Sequence, residues 1–264
     1  MGVLLLLALG GVSPGHPLPS PYPPHVFDVT KFGAKGAPHD DTVAVGTAVD
    51  AIVRADKDWK FPPEQCVEHP VGPSVLFFPA GSYILSDTIQ LYPTDNSTCK
   101  LHDSSLMIVV MGESSESTTV RLADHAAGYN DPAAPKPLFL THPGTAHNDG
   151  QWLSYIDLHI EIGQGNTGAI ALRHVANNIG GVEHVRLSAP YGGAAGIDFP
   201  LFLGGLTLFK HVDITGFSIG VNVSQPQDIL TIEHLRELSL SRARALPPAL
   251  SRSLPRSLSF SLSL

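Results

Sequence analysis

A chain of 264 residues holding 25 Gly and 23 Pro, with 7% aromatic residues and 43% hydrophobic ones, favours one turn-rich β domain over a helical fold. The formal charge is −8, and because Arg236 to Leu264 carry five Arg against the single acid Glu237, the remainder carries −12. So acidic a body excludes nucleic acid as a natural ligand, and it disfavours a polyanionic glycan unless a basic patch or a bridging cation intervenes.

Residues 1–24 read as a secretory signal followed by a Pro-rich leader: Met1 to Leu9 is a short apolar run, and Ala8-x-Gly10 offers a cleavage site. That run is too short to span a bilayer, so no stable membrane insertion is expected. A secreted, extracellular protein is the expectation. The sequons Asn96-Ser-Thr and Asn222-Val-Ser are candidate glycosylation sites. Cys66 and Cys99, the only cysteines, flank an apolar strand pair, and a disulfide between them would stabilise the fold by about 3–4 kcal/mol. Two free thiols in a cytosolic protein is the alternative.

Phe27 to Gly33 reads as a short strand entering a Gly turn. Asp40-Asp-Thr42 then supplies helix caps before Val43 to Arg54, whose Ala and Val residues can occupy one helical face. Ser74 to Ser86 reads as strand, Pro-Ala-Gly turn, strand, and Thr88 to Leu91 continues as a third. These blocks carry a resemblance. Asp28-Val-x-x-Phe-Gly-Ala34, then Asp40-Asp-Thr42 opening an Ala-rich helix, then Val75-x-Phe-Phe-Pro-x-Gly-x-Tyr83, resembles the start of the rhamnogalacturonase/epimerase-type, pectate-lyase-like superfamily. One departure is that Lys35-Gly-Ala-Pro-His39 stands where that family usually has Gly-Asp-Gly before the paired Asp. The resemblance covers roughly Phe27 to Leu235, and it implies a helix capping the open end of a right-handed parallel β-helix.

Leu106 to Gly112 and Thr119 to Leu122 supply further strands, while Ala123 to Gly150 reads as a long Pro/Ala loop containing Tyr129 and His147. Gly163 to Gly168 and Asn177 to Gly181 read as corners. Four copies of one pattern follow. Tyr155-Ile-Asp-Leu-His-Ile160, Val182-Glu-His-Val-Arg-Leu187, Phe209-Lys-His-Val-Asp-Ile214 and Ile232-Glu-His-Leu-Arg-Glu237 recur at steps of 27, 27 and 23 residues. Apolar and polar residues alternate in each, and a strand that returns once per twenty-odd residues predicts one turn of a β-solenoid per repeat. The fold class expected is therefore all-β: a single-stranded right-handed parallel β-helix over residues 25–235 with an N-terminal capping helix. Residues 236–264, nearly all Leu, Ser, Arg and Pro, read as a low-complexity tail, disordered, and the β-helix as truncated at its C-terminal end.

The repeat lets side-chain columns be written down. Leu158, Val185, Val212 and Leu235 stack inward, as do Ile160, Leu187 and Ile214. Asp157, His184, His211 and His234 are placed outward, beside His159, Arg186, Asp213 and Arg236, with Ile156, Glu183, Lys210 and Glu233 near the corner. Glycoside hydrolysis needs two carboxyl groups, about 6.5–9.5 Å apart for inversion or about 5 Å for retention. Asp157 and Asp213, two rungs apart, are the candidate catalytic acids, with Asp198 and Glu161 in reserve. Arg186, His184 and His211 are candidate substrate contacts, and Trp152, Tyr155, Tyr129 and Tyr191 candidate platforms for sugar rings. The same residues equally make a solvated face on which acids, His and Arg neutralise one another. No metal-ligand spacing is present, so no cofactor is expected, and calcium enters only if the chain is a lyase, for which Arg173 or Arg186 would serve as base or carboxylate clamp, although no Asp-rich calcium ligands cluster near them in the sequence. The polygalacturonase pattern of Asn-x-Asp, Asp-Asp, Gly-His-Gly and Arg-x-Lys is absent, as is the lyase pattern Trp-Ile-Asp-His. The leading expectation is a secreted polysaccharide-cleaving glycoside hydrolase with a pectin- or glucan-like substrate. The alternatives are a non-catalytic glycan-binding or structural β-helix, a lyase or epimerase, and an inactive fragment; the oligomeric state is left open.

Overall fold

The computed structural model describes residues 25–57, 74–92, 108–141, 153–175, 179–199, 206–223 and 229–238. The expected signal peptide, Cys66, Cys99, Asn96, Trp152 and the residues after Leu238 lie outside the described residues.

The chain opens with β1 (His25–Asp28), a 3₁₀ turn over Val29–Phe32, and a left-handed Gly33 at φ 104°. Helix α1 (Thr42–Lys57) follows, buried along Val45, Ala48, Val49 and Ile52, the spacing that puts four side chains on one helical stripe. The paired aspartates hold its start. Asp41, itself buried, accepts from the Lys35 and Gly36 amides at 2.7 and 2.9 Å, while its carbonyl takes the Val45 amide. Asp40 accepts the Thr42 amide at 3.0 Å and the Ser86 hydroxyl at 2.6 Å, tying the helix to the strand layer.

The remaining elements are strands. They are β2 (Ser74–Phe78), β3 (Gly81–Leu85), β4 (Ile89–Gln90), β5 (Ile108–Gly112), β6 (Thr118–Leu122), β7 (Lys136–Leu140), β8 (Ser154–Ile156), β9 (His159–Ile162), β10 (Ala169–Arg173), β11 (Ile179–Glu183), β12 (Arg186–Phe199), β13 (Leu206–Val223) and β14 (Ile229–Leu238). With β1 they form one sheet whose paired strands are all parallel. Most strands next to each other in sequence, such as β2 and β3, do not pair, the exceptions being β1 with β2, β12 with β13 and β13 with β14. Instead the pairs run β1-β2-β5-β8-β11-β13-β14, then β3-β6-β9-β12-β13, then β4-β7-β10-β12-β13. Strands β12 and β13 are long because each bends from one run into the next, β12 through a register shift between Ser188 and Gly193. A sheet so curled is consistent with a parallel β-helix.

The inward columns of the repeat, Leu158, Val185 and Val212 and then Ile160, Leu187 and Ile214, are buried, and the first run adds a column that the repeat does not assign. Leu76, Val110, Tyr155, Val182 and Phe209 are in register and buried in the first run, as are Tyr83, Val120, Ile160, Leu187 and Ile214 in the second. Each such side chain contributes about 1.5–3 kcal/mol by leaving water. Across β14 the same columns end on Ile232 and Glu237, both exposed.

Several expectations need correction. The segment read as a loop from Ala123 contains β7, hidden from sequence reading by Pro137, since a proline cannot donate to a ladder. Within it Tyr129 is buried, its hydroxyl donating to the Pro137 carbonyl at 3.1 Å, so it is no sugar platform. Part of the expected corner at 177–181 is strand β11, and β14 continues past Leu235 to Leu238, carrying the ordered fold beyond the expected domain boundary.

Candidate functional site

The outward residues of the second run form a polar stripe. Thr119 and Arg121 on β6 pair in register with His159 and Glu161 on β9, then Arg186 and Ser188 on β12, Asp213 and Thr215 on β13, and Arg236 and Leu238 on β14. Along one edge of it runs the corner column. Asp157, His184, His211 and His234 have φ of 55°, 53°, 52° and 55°, the left-handed region that Asp and His tolerate better than most non-glycine residues. The expectation that they continue the strand alternation is thus corrected: each is the single residue on which the chain turns from the first run into the second. Gly112 lets the preceding coil approach this corner, since a Cβ there would sit 2.3 Å from the Asp157 carbonyl.

The corner side chains stack as well. His184 Nδ1 lies 3.4 Å from Asp157 Oδ1, the His184 and His211 rings are 5.0 Å apart between centroids, and His211 and His234 are 4.6 Å apart. Shed hydration of the stacked His211 ring lowers its pKa, and the neighbouring His234, His184 and Lys210 charges lower it further. Asp157 is pushed up by burial, partly offset by His184. Glu183, directly before His184, is pushed up by burial and by the nearby Asp157 and Glu233, against His184 and Lys210. These two carboxyls sit on adjacent coils, the Asp157 amide donating to the Glu183 carbonyl at 3.1 Å.

The other expected acids are committed elsewhere. Asp213 accepts two parallel bonds from Arg236, Nε to Oδ1 and Nη2 to Oδ2, both 2.9 Å. Glu161 accepts from Arg121 Nε at 2.9 Å, and the same guanidinium also pairs with Asp124. Asp198 is buried in the third run, taking the Asn222 amide at 2.8 Å with Arg173 Nε at 3.3 Å, so it does not join Asp157 or Asp213. The expectation that Asp198 stands in reserve at a corner adjacent to Asp157 and Asp213 is thereby corrected: register puts it on a different run of the sheet, opposite Arg173. The same geometry gives Arg173 and Asn222 structural roles as partners of a buried carboxylate.

Tyr155 is also corrected, because it faces inward with no exposed surface, packing edge-on against Phe139 at 5.8 Å and His174 at 5.7 Å. Tyr191 is 61% exposed and available. Arg186, His184 and His211 are exposed on the stripe and its edge, where the sequence placed them. Sequence reading passed over Glu183 and Ser188 as site residues, although the step of 27 residues from Glu161 to Ser188 and from Ile156 to Glu183 places both. Among the described residues no group of three or more His, Cys, Asp and Glu converges as metal ligands, and no helix is long and apolar enough to cross a membrane.

No family model and no curated protein matches this chain. Among solved structures it is similar to ORF18 of Geobacillus virus E2, at 16% identity and TM-score 0.42 over 81% of this chain and 40% of that one. It is also similar to the Agl-KA catalytic domain, at 16% identity and TM-score 0.47, covering 81% of this chain and 38% of that one. A third is the mannuronan C-5 epimerase AlgE6 A-module of Azotobacter vinelandii, at 13% identity and TM-score 0.35, covering 78% of this chain and 62% of that one. The chain spans less than two thirds of the length of each of these three proteins.

Proposed function

We propose that this chain is a secreted, right-handed parallel β-helix that binds an extended polysaccharide along the outward stripe. The observation that carries this reading is the stripe itself: polar side chains repeat at the parallel-strand spacing from Thr119 to Arg236, giving hydroxyl, imidazole, guanidinium and carboxylate groups at regular intervals to a repeating ligand. Most of these charges are already paired across rungs, so the surface offers hydrogen bonds with little net charge. A neutral glycan suits it better than a polyanion, in keeping with the acidic body. Affinity electrophoresis in gels containing neutral, acidic or basic polysaccharide tests the reading. Retention by a neutral polysaccharide, weakened in an Arg186→Ala, His184→Ala double variant, supports it; equal mobility in every gel rejects it.

A second reading has its own observation. Asp157 and Glu183 stand on adjacent coils, joined by the Asp157 amide and the Glu183 carbonyl at 3.1 Å, and burial raises both carboxyls. In glycoside hydrolysis the protonated member would donate to the leaving oxygen and the ionised member would act as base or nucleophile. Release of reducing ends from a retained glycan, lost in Asp157→Asn, would establish cleavage. Retention without release would leave a binding protein.

A further inference from the structure

Ser188 and His159 stand on adjacent strands of the stripe with His159 Nε2 2.7 Å from Ser188 Oγ. The other ring nitrogen, Nδ1, is 3.4 Å from Thr119 Oγ1 on the next coil. With the proton on Nδ1, donated to the threonine oxygen, Nε2 is left as an acceptor for the serine hydroxyl. A hydroxyl bonded to an imidazole that is itself oriented by a third group is the arrangement that activates a serine nucleophile. Arg186 precedes Ser188 by two residues on the same strand and face, in register with His159, and is exposed. Its charge is felt at the His159 ring, which makes it the cation that this strand face offers to a developing oxyanion. Burial, reinforced by Arg186, lowers the pKa of His159 and keeps the ring neutral near pH 7, the form a general base needs.

We propose that Ser188, with His159 as base and Arg186 as the cation facing the oxyanion, hydrolyses small acyl esters at this face. Ser188 Oγ adds to the ester carbonyl carbon while its proton passes to His159 Nε2. The tetrahedral adduct collapses, the C–O bond to the alcohol breaks, and the leaving oxygen takes the proton from Nε2. Water then attacks the acyl-serine, again giving a proton to His159, and the carboxylic acid leaves as Oγ recovers its proton. Water is the only co-reactant, and no oxidation occurs. An O-acylated sugar is the substrate class that would tie this chemistry to the proposed glycan stripe, but the step itself does not rest on polysaccharide binding.

The test uses the full chain and p-nitrophenyl acetate, which contains no sugar. Release of nitrophenolate above the buffer rate is expected, falling about 10²–10⁴-fold in His159→Gln and to background in Ser188→Ala. Circular dichroism of each variant checks that the fold persists. Should either variant fail to fold, a fluorophosphonate probe on the unaltered protein decides: a covalent adduct on the peptide holding Ser188 supports the proposal, and an adduct elsewhere or none overturns it. Turnover that survives Ser188→Ala overturns it as well. An acetylated and a deacetylated form of one polysaccharide then separate the two proposals, because acetate release reports the ester chemistry and retention of the deacetylated form reports glycan binding.

Discussion

The imidazole rings of His211 and His234 lie 4.6 Å apart, centroid to centroid, with planes within 1° of parallel. The separation is close to the distance between neighbouring strands of a sheet, so the rings stack because their backbones do. Both residues hold a left-handed backbone, φ 52° and 55°, and this conformation explains why the column contains Asp and His rather than β-branched residues.

Substitution on that column is expected to follow backbone strain. His211→Asn keeps a residue type at ease in the left-handed region and should change stability little. His211→Ile forces a β-branched side chain into φ 52° and should cost about 1–3 kcal/mol. Urea unfolding of both variants provides the comparison, and equal midpoints would remove strain as the cause.

Acid should weaken the fold through its histidines. His174 is fully buried against Tyr155, Phe199 and Phe209, with no partner for either ring nitrogen among the described residues, and burial lowers its pKa to about 3. As the pH falls the unfolded chain takes the proton first. Stability is therefore complete above the ordinary imidazole value near 6.5 and drains away from there toward about 3. His159 and His211, also lowered, act in the same sense. Asp157 and Glu183 oppose them: their raised carboxyls bind a proton more tightly in the folded state, so their contribution is present at acid pH and is lost as pH rises through the raised values. Tm should fall between about pH 7 and pH 5, where histidine titration dominates, and His174→Leu should flatten that slope.

The corner built on Asn166 should be among the least tolerant sites. Asn166 itself has no exposed surface; its side-chain oxygen accepts the Ala126 amide at 2.9 Å, and its side-chain nitrogen donates to the Ala123 and Gly163 carbonyls at 2.7 and 3.0 Å. Asn166→Leu leaves those backbone groups unpaired, at a cost of about 1–3 kcal/mol for each that water cannot reach. Calorimetry should show a lower Tm; an unchanged value would mean that the corner relaxes to admit water.

If the protein cleaves glycan, the acids should separate by their partners. Asp157→Asn and Glu183→Gln should each lower the rate about 10²–10⁴-fold. Asp213→Asn should cost less than about tenfold, because the carboxylate already held at 2.9 Å by both Nε and Nη2 of Arg236 is poorly placed to exchange a proton. Reducing-end assays on the three variants rank them, and an Asp213→Asn loss as large as that of Asp157→Asn would restore Asp213 as a catalytic acid.

Period-2 alternation in the four copies was enough to assign Leu158, Val185, Val212, Ile160, Leu187 and Ile214 to the interior, since a strand must send alternate side chains to opposite faces. The 27-residue step was enough to align Arg186 with Asp213, because one coil of parallel sheet repeats its register. The alternation slips once in each copy, since buried Tyr155, Val182 and Phe209 stand three residues before buried Leu158, Val185 and Val212. That slip marks an interruption of the strand but not the way the chain goes, and only the tertiary structure showed Asp157 and the three histidines as left-handed corners. The repeat also put Asp213 and Arg236 in one column, but it did not show that Arg236 clamps both carboxylate oxygens, that Asp198 is buried beside Asn222, or that Ser188 meets His159 diagonally across the rung. Each contact joins side chains more than twenty residues apart, and winding the sheet is what brings them together.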